Sequence, residues 1–245
     1  MGVPMAGCEC RVCRSPNPRD KRLRTSAYLE IGETRLLIDT SLDYRQQMLR
    51  SGIKCLHAVL FTHHHVDHIL GLDDLRSFNF LNKCAIPLYG MAETFDNIKR
   101  VFAYAFSDEK QPSGVPRLTL HEIDAQPFAV RGVEIIPIPL MHGKMPVLGF
   151  RIGNFAYCTD VNYIPPASYE RLRGLEVLIL DALREKPHAT HFTIEQAVRE
   201  AQKIGAQKTY FTHLSHAIMH DETEAKLPDN IHLAYDGLKF ELATD

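Results

Sequence analysis

Four of the thirteen histidines lie within six residues of one another, in the segment Thr62-His63-His64-His65-Val66-Asp67-His68. This segment contains the pattern His-x-His-x-Asp-His. Because side chains alternate along an extended chain, His63 and His65 are predicted to point to one side, while Asp67 and His68 begin the next segment and turn towards a neighbouring point. Imidazole and carboxylate groups bind Zn²⁺, Mn²⁺ or iron. The spacing therefore predicts two metal positions, with His64 as a spacer that faces away.

The six cysteines are distributed as unevenly as the histidines. Cys8, Cys10 and Cys13 lie within six residues, whereas the other three are scattered in mainly hydrophobic segments. Three thiols so close together cannot pair neatly with three distant partners, and in a reducing compartment a cysteine cluster indicates metal ligation. A tetrahedral structural zinc needs a fourth ligand besides these three. The scattered cysteines are expected to be small buried hydrophobic side chains.

Short apolar runs rich in β-branched residues recur along the chain, and each ends in a polar or ligand-type residue: Arg35–Asp39, Ala58–His63, Val133–His142, Phe155–Asp160, Val177–Asp181 and Thr209–His213. They predict strands that carry ligands at their ends. Helical spacing predicts helices over 95–105 and 194–204, the second opened by Thr193 with Gln196 and closed by Gly205. We therefore expect one α/β domain over residues 1–245.

Composition excludes several classes of protein. The chain has 245 residues, 45% of them hydrophobic, which excludes disordered and fibrous proteins. With 28 basic and 30 acidic residues, it lacks the basic excess of a general nucleic-acid binder. No run approaches the ~18 apolar residues of a membrane span. The first residues have no basic region of the kind that opens a signal peptide. We expect a soluble cytoplasmic protein that does not act on membranes.

The pattern His-x-His-x-Asp-His after a strand ending in threonine resembles the metallo-β-lactamase superfamily. The resemblance implies an α/β fold, a four-layer αβ/βα sandwich of two mixed sheets flanked by helices. It also implies two divalent cations, Zn²⁺ or Mn²⁺, in the active site. His63, His65 and His142 would bind one cation, Asp67, His68 and His213 the other, and Asp160 would bridge both. Asp39 matches a family residue that orients a ligand.

Two further features resemble the PhnP-like phosphodiesterase branch, which is related to ribonuclease Z. The segment from Gly2 to Cys13 is similar to a region in which three cysteines and a histidine hold a structural zinc, and the matching histidine here is His216. The resemblance thus implies an N-terminal zinc segment over 1–20. His191 matches a catalytic histidine of this branch and is assigned a catalytic role, as is Asp67. His188 fits that pattern less well.

The resulting expectation is two-metal phosphodiester hydrolysis, in which a hydroxide bridging the metals attacks phosphorus. The expected substrate is a small phosphodiester, cyclic or linear. Residues 143–190 leave no room for the long arm with which ribonuclease Z grips tRNA. Nucleic acid is therefore not the expected substrate. The sequence leaves the oligomeric state open between a monomer and a homodimer, and relatives are commonly dimers.

Other activities on the same ligands remain open at this stage. Thioester, lactone or glyoxalase-type hydrolysis would use the same hydroxide against a carbonyl group, and persulfide dioxygenation would need a single iron. Neither accounts for His191 or the cysteine cluster. A β-lactamase would normally be exported. A non-catalytic metal-binding or interaction module usually loses ligands, whereas every expected ligand is present here.

Overall fold

The structure is a computed structural model that describes residues 2–107 and 114–242. In chain order the α-helices are α1 Arg11–Arg14, α2 Tyr44–Ser51, α3 Val66–Ile69, α4 Arg76–Asn82, α5 Ala92–Val101, α6 Ile194–Ile204 and α7 His220–Glu224. The strands are β1 Ala27–Ile31, β2 Thr34–Ile38, β3 Ala58–Leu60, β4 Ile86–Gly90, β5 Leu118–Glu122, β6 Phe128–Val130, β7 Val133–His142, β8 Met145–Ile152, β9 Phe155–Cys158, β10 Val177–Asp181, β11 Lys208–Thr212 and β12 Ile231–Leu233. Short 3₁₀ segments lie at Pro18–Asp20, Leu70–Leu75, Ala103–Ala105 and Pro166–Leu172.

The chain divides into two compact units. The middle unit comprises Arg24–Val133, and the terminal unit comprises the two ends of the chain, Met1–Leu23 and Glu134–Asp245. The expectation of a single domain over residues 1–245 stays a prediction.

The sheet of the middle unit has the strand order β1-β2-β3-β4-β5. The first two strands form an antiparallel hairpin, and β2, β3, β4 and β5 run parallel. Ile38 at the end of β2 lies opposite Leu60 at the end of β3. Because parallel strands end at the same edge of a sheet, the residues that follow β2 and β3 are brought together there.

The sheet of the terminal unit contains the strand order β12-β11-β10-β9-β8-β7. Strands β9 to β12 are parallel, whereas β8 is antiparallel to both β9 and β7. Two antiparallel steps give β7 the direction of β9. The ends of β7, β9, β10 and β11 therefore share one edge, where Asp181 lies opposite Thr212.

Each sheet buries one hydrophobic core against its helices. In the middle unit, Phe95 and Ile98 of α5 pack with Val59 and Leu88 of the sheet, and all four are completely buried. In the terminal unit, Ala197 of α6 packs against strand residues of β7 to β11. The mixed sheets with flanking helices confirm the predicted α/β class.

The six predicted strand runs appear as β2, β3, β7, β9, β10 and β11, which confirms that part of the sequence reading. Helix α6 has the predicted capping box, because the Thr193 hydroxyl accepts the Gln196 N–H and Gln196 accepts the Thr193 N–H. The helix predicted over 95–105 begins earlier, at Ala92, and ends at Val101. Among the described residues, no helix combines the length and apolar character needed to cross a membrane.

Candidate metal centre

The histidine-rich segment of the middle unit leaves the sheet in extended form and then enters a helix. His65 has extended dihedral angles and immediately precedes α3, whose first turn contains Asp67 and His68. The ring centroids of His63 and His65 are 4.7 Å apart, and those of His63 and His68 are 4.3 Å apart. The change from strand to helix thus brings the rings of His63, His65 and His68 together, and Asp67 lies between the last two in the sequence. His64 keeps its ring 5.9 Å from that of His65.

Asp39, which follows β2 and is completely buried, holds this segment in place. Its Oδ1 accepts the Thr62 N–H at 2.8 Å, and its Oδ2 accepts the Thr62 hydroxyl at 2.8 Å. The same Oδ2 lies 2.7 Å from Nδ1 of His68. Burial raises the pKa of Asp39, and the interaction with His68 opposes that rise. One carboxylate therefore orients the strand end and the helix of this segment.

These hydrogen bonds determine which ring nitrogens carry protons. Since a carboxylate accepts only, His68 donates its Nδ1–H and keeps the lone pair on Nε2. The Thr62 hydroxyl gives its hydrogen to Asp39, so its oxygen, 2.9 Å from Nδ1 of His63, accepts from that ring. His63 thus also presents an Nε2 lone pair. A neutral imidazole held through Nδ1–H is the form that binds a metal ion.

The terminal unit collects a second group of polar side chains where β7, β9 and β11 end. His142 donates from Nδ1 to the Thr190 carbonyl at 2.7 Å, so its Nε2 also carries the lone pair. Burial lowers the pKa of His142, which favours the neutral ring. Nε2 of His213 lies 3.5 Å from Oδ1 of Asp160. Asp160 and His142 are buried, with 2% and 6% of their surface exposed.

His191 joins this group from the loop before α6. A donor atom from each of Asp160, His191 and His213 lies within 4.8 Å of the others. The His191 ring stacks on that of His213 at 4.7 Å and meets that of His142 edge-on at 4.5 Å. Only 7% of His191 is exposed. The structure therefore places the predicted catalytic histidine beside three of the predicted ligands, His142, Asp160 and His213.

A buried aspartate at the end of β10 fixes His191. Oδ1 of Asp181 lies 3.0 Å from Nδ1 of His191, and Oδ2 accepts the Phe192 N–H at 3.1 Å. Burial raises the pKa of Asp181; the charge of His213 opposes the rise and that of Asp160 adds to it. Because Nδ1 of His191 is engaged with Asp181, Nε2 is the nitrogen turned to Asp160, at 3.9 Å.

Three residues near strand ends have left-handed backbone dihedral angles: Asp39 and His213 come directly after β2 and β11, and Asp160 comes two residues after β9. The φ angles are 60° at Asp39, 53° at Asp160 and 60° at His213. Residues other than glycine rarely adopt this conformation, and it is concentrated at functional sites. The sharp turn lets the chain leave the sheet while the side chain stays at the strand end. The left-handed backbone at these three positions thus keeps each side chain at the sheet edge while the chain turns away.

The donor chemistry of both groups fits divalent cations. The middle unit offers His63, His65, Asp67 and His68, and the terminal unit offers His142, Asp160 and His213. Neutral imidazole nitrogen and carboxylate oxygen suit Zn²⁺, Mn²⁺ and iron. These seven side chains have the donor atoms that such cations prefer. Their assignment as ligands stays a prediction.

The three N-terminal cysteines meet His216 in the terminal unit. One donor atom from each of Cys8, Cys10, Cys13 and His216 lies within 4.8 Å of the other three. Sγ of Cys8 and Sγ of Cys10 lie 3.4 and 3.5 Å from Nδ1 of His216. Three thiols and an imidazole are a common donor set for structural zinc. All six cysteines are in the thiol state, so no disulfide competes for these sulfurs.

The local backbone prepares Cys10 for metal binding. The Cys13 N–H and the side chain of His216 lower the pKa of the Cys10 thiol to about 6. A thiolate is the form that binds zinc. Burial raises the pKa of Cys13, which accepts the Met5 N–H at 3.3 Å. This environment fits the predicted zinc, whose presence stays a prediction.

The N-terminal segment is tied to the chain around His216 by a buried ion pair. Nη2 of Arg22 lies 3.2 Å from Oδ1 of Asp20, and both side chains are buried. Arg22 also donates to the carbonyls of Ser215 and Ile218, at 3.2 and 2.8 Å. Asp20 in turn accepts the His220 N–H at 2.8 Å. Asp20 and Arg22, from the N-terminal part of the chain, therefore hold the segment that carries His213 and His216.

Sequence reasoning assigned no role to Asp181, Thr62 or Thr190. Asp181 carried a usable signal, because it ends the buried run Val177–Asp181 as Asp39 ends Arg35–Asp39. Thr190 acts through its backbone carbonyl, which no residue type reveals. The Thr62 hydroxyl donates to Asp39 and accepts from His63, and this arrangement depends on the pairing of β2 with β3.

Comparisons with known proteins agree with this architecture. The beta-lactamase superfamily domain matches residues 34–214 as a family profile. A crystal structure described as a new diphosphatase from the PhnP family is 45% identical. The match covers 97% of this chain and 91% of that one, with a TM-score of 0.91.

Curated relatives match over only part of their length. An octanoyltransferase of Porphyromonas gingivalis (strain ATCC BAA-308 / W83) is 42% identical over 243 residues, 97% of this chain and 49% of that protein. A ribonuclease Z of Bradyrhizobium diazoefficiens is 29% identical over 137 residues, 54% of this chain and 45% of that protein. The chain thus spans about half the length of these relatives, and their names describe the longer proteins.

We expect Asp39→Asn to weaken binding of Zn²⁺ by about 10- to 100-fold, the usual effect of losing a group that orients a ligand. The amide has no second anionic oxygen with which to hold both Thr62 and His68. Zinc affinity is measured by competition with a chromophoric chelator, with circular dichroism as a check on folding. Asp43→Asn is the matched control, because Asp43 pairs with Arg24 instead. Equal affinities in Asp39→Asn and the wild type would contradict the role given to Asp39.

We expect Cys10→Ser to lower the zinc content of the purified protein by one equivalent per chain, because the variant has lost one of four tetrahedral ligands. Elemental analysis by mass spectrometry measures the content. Cys84→Ser is the matched control, since Cys84 is exposed and lies on a different part of the chain. An unchanged zinc content in Cys10→Ser would exclude a structural zinc at this cluster.

Proposed function

This chain belongs to the metallo-β-lactamase superfamily and to the PhnP family within it, and from that premise we propose that it is a binuclear metal-dependent phosphodiesterase. The fold is that of a metal-dependent hydrolase. The proposed substrate is a small phosphodiester, cyclic or linear. The observation that carries this proposal is the buried pair of Asp181 and His191 beside Asp160.

We propose that the seven donor side chains hold two divalent cations. When bound, such a pair lowers the pKa of water to give a nucleophile at neutral pH and stabilises charge on phosphoryl oxygens. Asp67 is the one carboxylate among the four donor side chains of the middle unit and can accept a hydrogen bond from the attacking water. Its proposed role is thus both ligand and catalytic residue.

His191 supplies what phosphoryl transfer needs beyond a nucleophile. With a proton on Nε2 the ring is a cation, which Asp181 stabilises through the Nδ1–H bond and Asp160 through its charge. This Nε2–H can donate to a phosphoryl oxygen or pass its proton to the departing alkoxide. An acyl hydrolase with the same ligands has less use for such a residue, because its tetrahedral intermediate carries a single oxyanion.

The substrate class follows from charge and from the comparisons. A formal net charge of −2 gives no general attraction to a polyanion. The related crystal structure is that of a diphosphatase. In a diphosphate diester, attack on one phosphorus breaks its bond to the bridging oxygen and a phosphate monoester leaves, so the same residues can serve. We therefore include small diphosphate diesters in the proposed class.

Acyl hydrolysis is the second candidate. The 42% identical relative is named for the transfer of an acyl group, although this chain corresponds to only 49% of its length. Attack on a thioester would use the same metal ligands. Substrate comparison separates the two candidates.

The proposal is tested by hydrolysis of bis(p-nitrophenyl) phosphate. Metal-free protein is reconstituted separately with Zn²⁺, Mn²⁺ and Fe²⁺, and release of p-nitrophenol is followed. We expect metal-dependent turnover well above that on p-nitrophenyl phosphate, because a monoester lacks the second ester group. A small diphosphate diester and an octanoyl thioester are measured in parallel.

Turnover of the thioester alone would replace the proposal with acyl hydrolysis. If folded, metal-loaded protein turned over none of these substrates, the phosphodiesterase proposal would fail. A single iron per active site together with activity on glutathione persulfide would point to persulfide dioxygenation.

We expect His191→Ala to lower kcat on the phosphodiester by about 10²- to 10⁴-fold, the usual contribution of a general acid. Metal content should remain at the wild-type value, because His191 is proposed to act on substrate. Steady-state kinetics and elemental analysis provide the two readouts. His232→Ala is a matched control, since His232 also pairs through Nδ1 with a carboxylate, that of Glu224 at 2.9 Å. Loss of metal from His191→Ala would show that His191 is a ligand instead.

A further inference from the structure

The loop that joins β10 to α6, residues 182–193, carries a second histidine close to His191. His188 is exposed, and its ring centroid lies 5.1 Å from that of His191, at an interplanar angle of 51°. His191 by contrast is buried. The exposed ring of His188 therefore lies between solvent and the buried ring of His191, which belongs to the polar group of the terminal unit.

The backbone on either side of His188 is held by side chains of the same unit. The Arg184 guanidinium donates from Nε to the Lys186 carbonyl at 3.1 Å and from Nη2 to the Pro187 carbonyl at 2.9 Å. On the other side, the Asn162 amide donates to the Ala189 carbonyl at 3.1 Å. His188 is thus an exposed side chain on a fixed stretch of backbone.

The same anchoring links the loop to a predicted metal ligand. The Thr190 carbonyl accepts from Nδ1 of His142, and the Gly143 N–H donates to Oδ1 of Asn162 at 2.6 Å. Gly143 has a φ of 66°, and a Cβ there would lie 2.8 Å from Cγ2 of Thr190. The turn after His142 therefore needs glycine to approach the loop so closely. His188 and His142 are consequently positioned by one network.

Hydrogen bonding also defines the donor atom of His188. The Thr190 N–H donates to Nδ1 of His188 at 3.3 Å, so that nitrogen carries the lone pair. In the neutral ring the proton then resides on Nε2. An Nε2–H on an exposed imidazole can donate to an anionic ligand, and the guanidinium of Arg184 adds positive charge to the same loop.

We propose that His188 is a substrate-binding residue whose Nε2–H donates to an oxygen of a phosphoryl group next to the one that reacts at His191. The inference rests on the proposed phosphodiesterase function and narrows its substrate class to diesters with two adjacent phosphoryl groups. His191 acts on the scissile phosphoryl group, and His188 holds the leaving one. A substrate with one phosphoryl group gives His188 nothing to bind.

The test compares di(adenosine-5′) diphosphate with bis(p-nitrophenyl) phosphate as substrates of the metal-loaded protein. We expect His188→Ala to raise KM for the diphosphate about 10- to 100-fold, the worth of a hydrogen bond to a charged group, with kcat nearly unchanged. KM for the single-phosphoryl substrate should stay at the wild-type value. His188→Gln, whose side-chain amide can donate, should recover part of the lost affinity.

Lys186→Ala is the matched control, because Lys186 is exposed on the same loop and contributes its backbone carbonyl, not its side chain, to Arg184. An equal rise of KM in Lys186→Ala would mean that loop charge, and not His188, binds the substrate. Equal KM values for wild type and His188→Ala on the diphosphate would also overturn the inference. Wild-type turnover of the single-phosphoryl substrate would in either case leave the phosphodiesterase proposal standing, whereas absence of turnover on both substrates would remove both proposals.

Discussion

The hydrogen bond from an imidazole Nδ1–H to a fixed acceptor is the interaction on which both polar groups depend. A histidine can offer its Nε2 lone pair to a cation only when the other nitrogen keeps the proton. Here the acceptors are the Thr62 hydroxyl for His63, the Asp39 carboxylate for His68 and the Thr190 carbonyl for His142. Asp181 holds Nδ1 of His191 in the same way, so the ring predicted to be catalytic and the rings predicted to be ligands are oriented by the same kind of hydrogen bond.

The parallel direction of the strands determines where the polar residues at their ends lie. Parallel strands end at a common edge, so the residues after β2 and β3 lie together, and so do those after β9, β10 and β11. The chain must then turn away at once, which accounts for the left-handed backbone at Asp39, Asp160 and His213. The free-energy cost of those conformations, of order 1–3 kcal/mol each, is offset by the hydrophobic cores beneath.

The N-terminal cysteine cluster contacts the segment that carries His213, the last of the predicted ligands. His213 and His216 are three residues apart, and Arg22 donates to the carbonyls of Ser215 and Ile218, which lie on either side of His216. The charge of Arg22 is buried, which is tolerable because Asp20 neutralises it and the carbonyls of Ser215 and Ile218 accept hydrogen bonds from Nη1 and Nη2. A structural zinc held by Cys8, Cys10, Cys13 and His216 would fix the same short segment at His216, between the two carbonyls that Arg22 holds.

The sequence by itself determined the six strand runs, helix α6 with its capping box, and the set of ligand-type residues. Those features are local: alternation, helical spacing and residue type at strand ends are present in the linear chain. Tertiary structure alone decided which atoms orient these residues. The Thr62 relay, the Thr190 carbonyl and the Asp181–His191 pair each join residues brought together by strand pairing or by a loop. Which backbone carbonyl faces a given ring depends on the folded path of the chain and not on residue type, so no reading of the sequence could supply it.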